Sequence, residues 1–220
     1  MTRVKICGLT SREDLGAAVD AGADALGFIT DVPVDTPREV DSGTAADLVA
    51  AAPPFVTTTL VLMPDSPQHA VDLARTIRPD VVQLHCEFDP AELRFVRAET
   101  STKLVVVVDA DDPDRAREVD DVADALLVDS TTDEGAGGTG ETHDWVATGE
   151  LAAALASPVV LAGGLTPDNV VEAVETAEPY GVDVASGVES SGGIKDHDAV
   201  EAFVRAVRRT DLNAKDEVMA

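Results

Sequence analysis

Short apolar runs alternate along the chain with longer segments whose apolar residues recur every three to four positions. The runs near residues 3–7, 25–29, 57–62, 81–85, 104–108, 125–129, 159–162 and 182–186 read as strands buried on both faces of a parallel sheet. Segments of helical period lie near 12–21, 42–52, 67–77, 90–98, 113–120, 144–155, 168–177 and 197–209. Ser11, Ser66, Asp89 and Thr166 stand where N-caps belong, and Pro67, Pro90 and Pro167 occupy first-turn positions. About eight strands alternating with eight helices predict one closed (β/α)8 TIM barrel spanning residues 1–220, with a doubly wound open sheet as the alternative. The segment from Thr210 onward carries no apolar pattern and is expected to fray.

A recurrence favours closure. Asp24, Asp80, Asp124 and Asp183 each head an apolar run, on the second, fourth, sixth and eighth predicted strands. Even strands of a barrel supply common side-chain layers. Five residues beyond Asp80 and Asp124 come His85 and Asp129, which should therefore reach the same rim at the same height. The glycine-rich, polar stretch Thr131–His143 is long for a loop and reads as a lid over that rim.

Composition sets limits on the setting and the partners. The apolar fraction of 45% is ample for a core, while 42 acidic residues against 16 basic ones leave a formal charge of -26. The charge is spread along the chain, so it describes an acidic surface like that of proteins from salt-loving organisms, and it disfavours nucleic acid and anionic membranes as partners. Stability should rise with salt as carboxylate repulsion is screened. No signal-peptide pattern or apolar run of membrane-spanning length is evident, so a cytoplasmic protein with Cys7 and Cys86 reduced is expected.

Candidate chemistry sits at the strand ends. Cys7 closes Val4-Lys5-Ile6 just before Gly8 and reads either as a small buried hydrophobe or as a functional thiol. Asp129 closes four apolar residues, and Asp109 ends a run of four valines, so one of the two acids is expected to be a solvated loop residue. Gly163-Gly164 and Ser186-Gly187 end adjacent strands in small residues, which suits a phosphate held by backbone N–H groups. Cationic side chains are scarce in that stretch. Gly135–Gly140 fits G-x-G-x-x-G, but no acid follows the next strand to bind a ribose, and a nicotinamide site is rejected. No metal is expected, since His85-Cys86 lacks ligand spacing. Arg38, in the loop after the second strand, is either a clamp for a substrate carboxylate or a surface ion pair.

The ordered motifs Lys5-Ile6-Cys7-Gly8-Leu9-Thr10, Gln83-Leu84-His85, Leu127-Val128-Asp129-Ser130, Gly137-Gly138-Thr139-Gly140, Leu161-Ala162-Gly163-Gly164-Leu165 and Asp183-Val184-Ala185-Ser186-Gly187 resemble the phosphoribosylanthranilate isomerases of tryptophan biosynthesis. The resemblance implies a cofactor-free Amadori rearrangement of N-(5-phosphoribosyl)anthranilate by a monomer or homodimer. In it, Asp129 is the general acid at the furanose oxygen and Cys7 the general base at ribose C2. It further implies that Arg38 holds the anthranilate carboxylate, that His85 lines the pocket, that backbone near Gly163, Gly164, Ser186 and Gly187 takes the phosphate, and that Asp183 serves either substrate or structure. The chain departs from the family pattern at Cys86, across Ile29–Asp35, and at Glu141 and His143. The alternatives are another phosphate-binding barrel, such as indole-glycerol-phosphate synthase or a bifunctional sugar isomerase, or a non-catalytic binding barrel. The synthase would need a lysine acid at a strand end, whereas Lys5 lies within the first strand and Lys103 precedes the fifth.

Overall fold

The computed structural model describes residues 1–129 and 144–218, with side chains as far as Thr210. Strands β1 (Arg3–Ile6), β2 (Ala25–Ile29), β3 (Thr57–Leu62), β4 (Val81–Leu84), β5 (Lys103–Asp109), β6 (Ala125–Asp129), β7 (Val159–Leu161) and β8 (Gly181–Val184) form a closed parallel barrel in sequence order. The ring closes where β1 pairs with β8 on one side and β2 on the other, Lys5 lying level with Asp183 and with Ala25. The open-sheet alternative is thereby excluded. Cys7 prolongs the closing ladder by donating its N–H to Val184 O at 2.8 Å.

Among the described residues, eight helices cover the barrel: α1 (Arg12–Asp20), α2 (Ser42–Ala51), α3 (Pro67–Ile77), α4 (Pro90–Glu99), α5 (Pro113–Val119), α6 (Trp145–Ala154), α7 (Val170–Ala177) and α8 (His197–Val218). Their starts are written locally. Ser11 and Ser66 accept from Asp14 N and His69 N, and Asp89 with Glu92 forms a reciprocal capping box ahead of Pro90. Thr166 is a correction: α7 begins only at Val170, because Asn169 ties the preceding loop by accepting from Thr166 N and donating to Gly164 O. Beyond Thr210, where the apolar pattern ends, the backbone continues as α8 to Val218.

The core lies between barrel and helices. Ala70, Val71, Ala74 and Ile77 form one buried stripe of α3 over Leu60, Leu62, Val82 and Leu84, and Val200, Phe203, Val204 and Val207 do the same for α8 over the β8–β1–β2 side. Each such fully buried large side chain contributes about 1.5–3 kcal/mol, and Phe203→Ala would cost about 3–5 kcal/mol. The barrel interior is different in kind, because Lys5, Gln83 and Asp183 are buried inside it.

A hairpin was not legible in the apolar pattern. After a 3₁₀ turn at Ser186–Val188, β9 (Glu189–Ser191) pairs with β10 (Ile194–Lys195). Its Gly192-Gly193 turn presses on the loop after β2: a Cβ on Gly193 would lie 2.2 Å from Pro37 O. Thr10 Oγ1 donates to Gly193 O at 2.8 Å, so the hairpin fastens the loops after β1, β2 and β8 together. Among the described residues, no helix is long and apolar enough to cross a membrane.

Candidate active site

The C-terminal ends of the strands surround a cavity of about 300 Å³. Cys7, Arg38, His85, Asp129, Asp183 and the glycine loops after β7 and β8 all line it. Asp109 does not line the cavity; its carboxylate accepts from Asp111 N, as a solvated loop acid would. The lid residues Thr131–His143, with the Gly135–Gly140 motif, Glu141 and His143, lie outside the described residues, as does Ser130.

Cys7 is 5% exposed. It shares the inward face of β1 with Lys5, two residues earlier, and Gly27 on β2 makes room for both: a Cβ there would lie 2.7 Å from Cys7 Sγ and 3.1 Å from Lys5 Cε. Lys5 Nζ donates to Asp183 Oδ2 at 3.0 Å in a buried ion pair. Burial pushes the Cys7 thiol up, the Lys5 charge opposes this, and the Asp183 carboxylate reinforces it. The lowered thiol that a base at this position calls for is therefore not the resting state.

Asp183 requires a second correction. The rim repeat is held by Asp24, Asp80 and Asp124, whose carboxylates accept from Val4 N, Thr58 N and Leu104 N at 2.8–2.9 Å, each the second residue of the preceding strand. The corresponding residue before β8 is Tyr180, while Asp183 lies inside the barrel beside Lys5. Residues five beyond the true repeat members, Ile29, His85, Asp129 and Ala185, do share the cavity.

Asp129 ends β6 and is 7% exposed. His85 meets Gln83 Nε2 at 3.2 Å, and burial followed by the nearby Lys5 charge pushes its pKa down to about 4, so it is neutral at pH 7. Among the described residues, Gln83 Oε1 and Asp183 Oδ1 are buried without a hydrogen-bond partner and are available to a ligand.

Arg38 gains its placement from the loop after β2. Val40 N donates to Ile29 O, and Met63 N to Asp31 O, which fixes the start of the unusual Ile29–Asp35 segment. The Arg38 guanidinium then donates twice to Glu189, at 2.9 and 2.8 Å. Lys195 Nζ donates to the same carboxylate at 2.8 Å and to Ala185 O at 3.0 Å. Burial alone would raise the pKa of Glu189, but the bonds from Arg38 and Lys195 outweigh it and hold the group ionised. Cationic charge is thus present beside the loop after β8, where Lys195 lies buried against Ala185 O. Lys5, Glu189 and Lys195 were given no site role from the sequence, although a lysine two residues before Cys7 on an otherwise apolar strand was a usable signal.

Backbone freedom shapes the far wall. Gly163 and Gly164 have φ of +87° and +62°, and a Cβ on Gly187 would sit 1.8 Å from Leu165 O, so the two loops touch through a residue that only glycine fits.

Fold and site together define a (β/α)8-barrel enzyme whose buried thiol and carboxylate face a single small cavity. Residues 4–206 match the family described as N-(5'phosphoribosyl)anthranilate (PRA) isomerase. An N-(5'-phosphoribosyl)anthranilate isomerase of Halorubrum lacusprofundi is 67% identical over 204 residues, covering 93% of this chain and 95% of its own. A phosphoribosyl anthranilate isomerase solved with reduced 1-(o-carboxyphenylamino)-1-deoxyribulose 5-phosphate superposes with a TM-score of 0.81 at 31% identity, covering 94% of this chain and 99% of its own. Monomers generated from the dimeric Thermotoga maritima isomerase give 0.82 at 30% identity with the same coverage. The chain belongs to the N-(5'-phosphoribosyl)anthranilate isomerase family, the aldose–ketose isomerases of tryptophan biosynthesis.

Proposed function

We propose that this chain converts N-(5'-phosphoribosyl)anthranilate to 1-(2-carboxyphenylamino)-1-deoxyribulose 5-phosphate, with Asp129 as general acid and Cys7 as general base. Asp129 protonates the furanose ring oxygen as the C1–O bond breaks, leaving a C1=N iminium. The iminium acidifies the C2 proton, Cys7 removes it, and the resulting enolamine becomes the aminoketose. Backbone at Gly163, Gly164, Ser186 and Gly187 takes the phosphate, with Lys195 adding charge beside the loop after β8. Arg38 meets the anthranilate carboxylate while Glu189 holds its guanidinium in place, and neutral His85 packs beside the sugar.

The observation that supports this reading best is that a thiol and a carboxylate remote in sequence, each buried at a strand's end, line one cavity beside the two glycine loops. A cytoplasmic setting suits the free thiols of Cys7 and Cys86. The working form is a monomer or homodimer, which light scattering distinguishes. The decisive assay follows the loss of anthranilate fluorescence on substrate addition. Cys7→Ser and Asp129→Asn should each slow turnover by about 10²-fold or more with the fold intact. Turnover at the parent rate in Cys7→Ser would remove the thiol from the mechanism.

A further inference from the structure

The assignment of Cys7 as base leaves a contradiction to resolve: a base must surrender its own proton before it can take one, yet the cavity favours the neutral thiol. Three charged groups act on the sulfur. Lys5 approaches from the same strand, Asp183 from β8, and Lys195 from β10. Lys5 is the pivotal one, because its ammonium is buried in an ion pair with Asp183 while its side chain packs beside the Cys7 sulfur over Gly27. Burial opposes the charge on that ammonium, but the Asp183 carboxylate outweighs it and raises the pKa of the lysine. The Lys5 stem and the Cys7 sulfur lie side by side in the space that Gly27 leaves, and among the described residues Asp183 Oδ1 has no hydrogen-bond partner, so a ligand hydroxyl can compensate the carboxylate when the lysine turns toward sulfur.

We infer that Lys5 is the positioning residue that licenses Cys7 as the base, its ammonium passing from Asp183 toward the sulfur when substrate fills the cavity. The proposal rests on the reading of Cys7 given above. In chemical terms, the S–H bond breaks with its proton passing to water at the cavity mouth, and the thiolate forms beside the Lys5 ammonium. That thiolate then takes the C2 proton, which restores the thiol. Lys5 itself neither gains nor loses a proton. Asp183 acts in opposition, holding the lysine away from sulfur and adding a like charge that disfavours the thiolate.

The opposition gives a test with two signs. In a Cys86→Ser background, iodoacetamide alkylation measured against pH reports Cys7 alone, with circular dichroism confirming the fold. At pH 8, Lys5→Met should alkylate at least about tenfold more slowly than the parent, and Asp183→Asn at least about tenfold faster. Lys5→Arg, which keeps the charge, should recover part of the rate and part of kcat. Equal profiles in all variants, or shifts in the same direction for Lys5→Met and Asp183→Asn, overturn the role of Lys5. If Lys5→Met fails to fold, the Asp183→Asn arm decides alone: faster alkylation sustains the proposal, and an unchanged or slower rate ends it. Cys7→Ser separates the two layers. If that variant turns over substrate normally, the base assignment has failed; if it is inactive while the alkylation profiles coincide, only the role of Lys5 has.

Discussion

The two ends of the barrel use carboxylates in opposite ways. At the N-terminal rim, Asp24, Asp80 and Asp124 each fasten an even strand to the odd strand before it, and Asp24 and Asp124 add ion pairs to cations that are a quarter to two-thirds exposed. At the C-terminal rim, Glu189 and Asp183 are buried against Arg38, Lys195 and Lys5. The first arrangement is cheap because water still reaches the charges and backbone N–H groups supply directed bonds. The second loses hydration and is recovered only by full pairing, so it belongs where charge must be aimed at a ligand. One end holds the strands in register; the other gathers paired charge around the cavity.

The comparison breaks most visibly at Glu189. Glu189→Ala strands the buried Lys195 and the partly buried Arg38, and denaturant unfolding should record a loss of about 3–5 kcal/mol together with a raised KM. Next comes Gly187→Ala, where the new methyl meets Leu165 O and must part the two glycine loops; kcat/KM should fall about 10²-fold with little change in the far-ultraviolet spectrum. At the opposite rim Asp80→Ala should cost about 1–3 kcal/mol by releasing Thr58, while kcat and KM stay at parent values. A kinetic defect there would show that the two ends are not separable.

Acid unfolding sharpens the same contrast. Burial alone would raise the pKa values of Asp24 and Asp124, but hydrogen bonds, from Arg208, Val4 N and Arg3 to the first and from Leu104 N and Lys103 to the second, hold them low. Groups whose folded pKa is depressed stabilise the fold above the unfolded value of about 3.9, and that contribution fades as pH falls through the folded values. Asp124→Asn should therefore flatten the pH dependence of stability below about pH 4 and leave it unchanged above pH 6. Smallest of all is Arg94→Ala, which removes an exposed pair with Asp121 and should cost less than about 1 kcal/mol. The melting temperature of the parent should meanwhile rise from dilute buffer to multimolar potassium chloride, as a formal charge of -26 is screened.

Much of this was readable before any coordinates. The eight strands fall within a residue or two of their apolar runs, since a strand buried on both faces has few polar residues to blur its ends. Cys7, His85 and Asp129 were legible as strand-tip residues for the same reason. Asp183 was misread because an aspartate before two apolar residues looks alike at either height in the barrel. The hairpin of β9 and β10 carried no usable signal: it is short, polar and held by contacts to Pro37 and Thr10 from distant loops.

Sequence alone determined the periodicity, the caps and the chemical groups delivered to each strand end, because backbone geometry and burial act over a few neighbouring residues. Tertiary structure decided what those groups meet. Lys5 and Asp183 lie 178 residues apart, and only closure of β1 on β8 sets them side by side with Cys7. Glu189 becomes a shared counter-ion only once the hairpin folds over the loop that bears Arg38. Charge interactions depend on separation in space and on the water excluded between partners, and neither quantity is written along the chain.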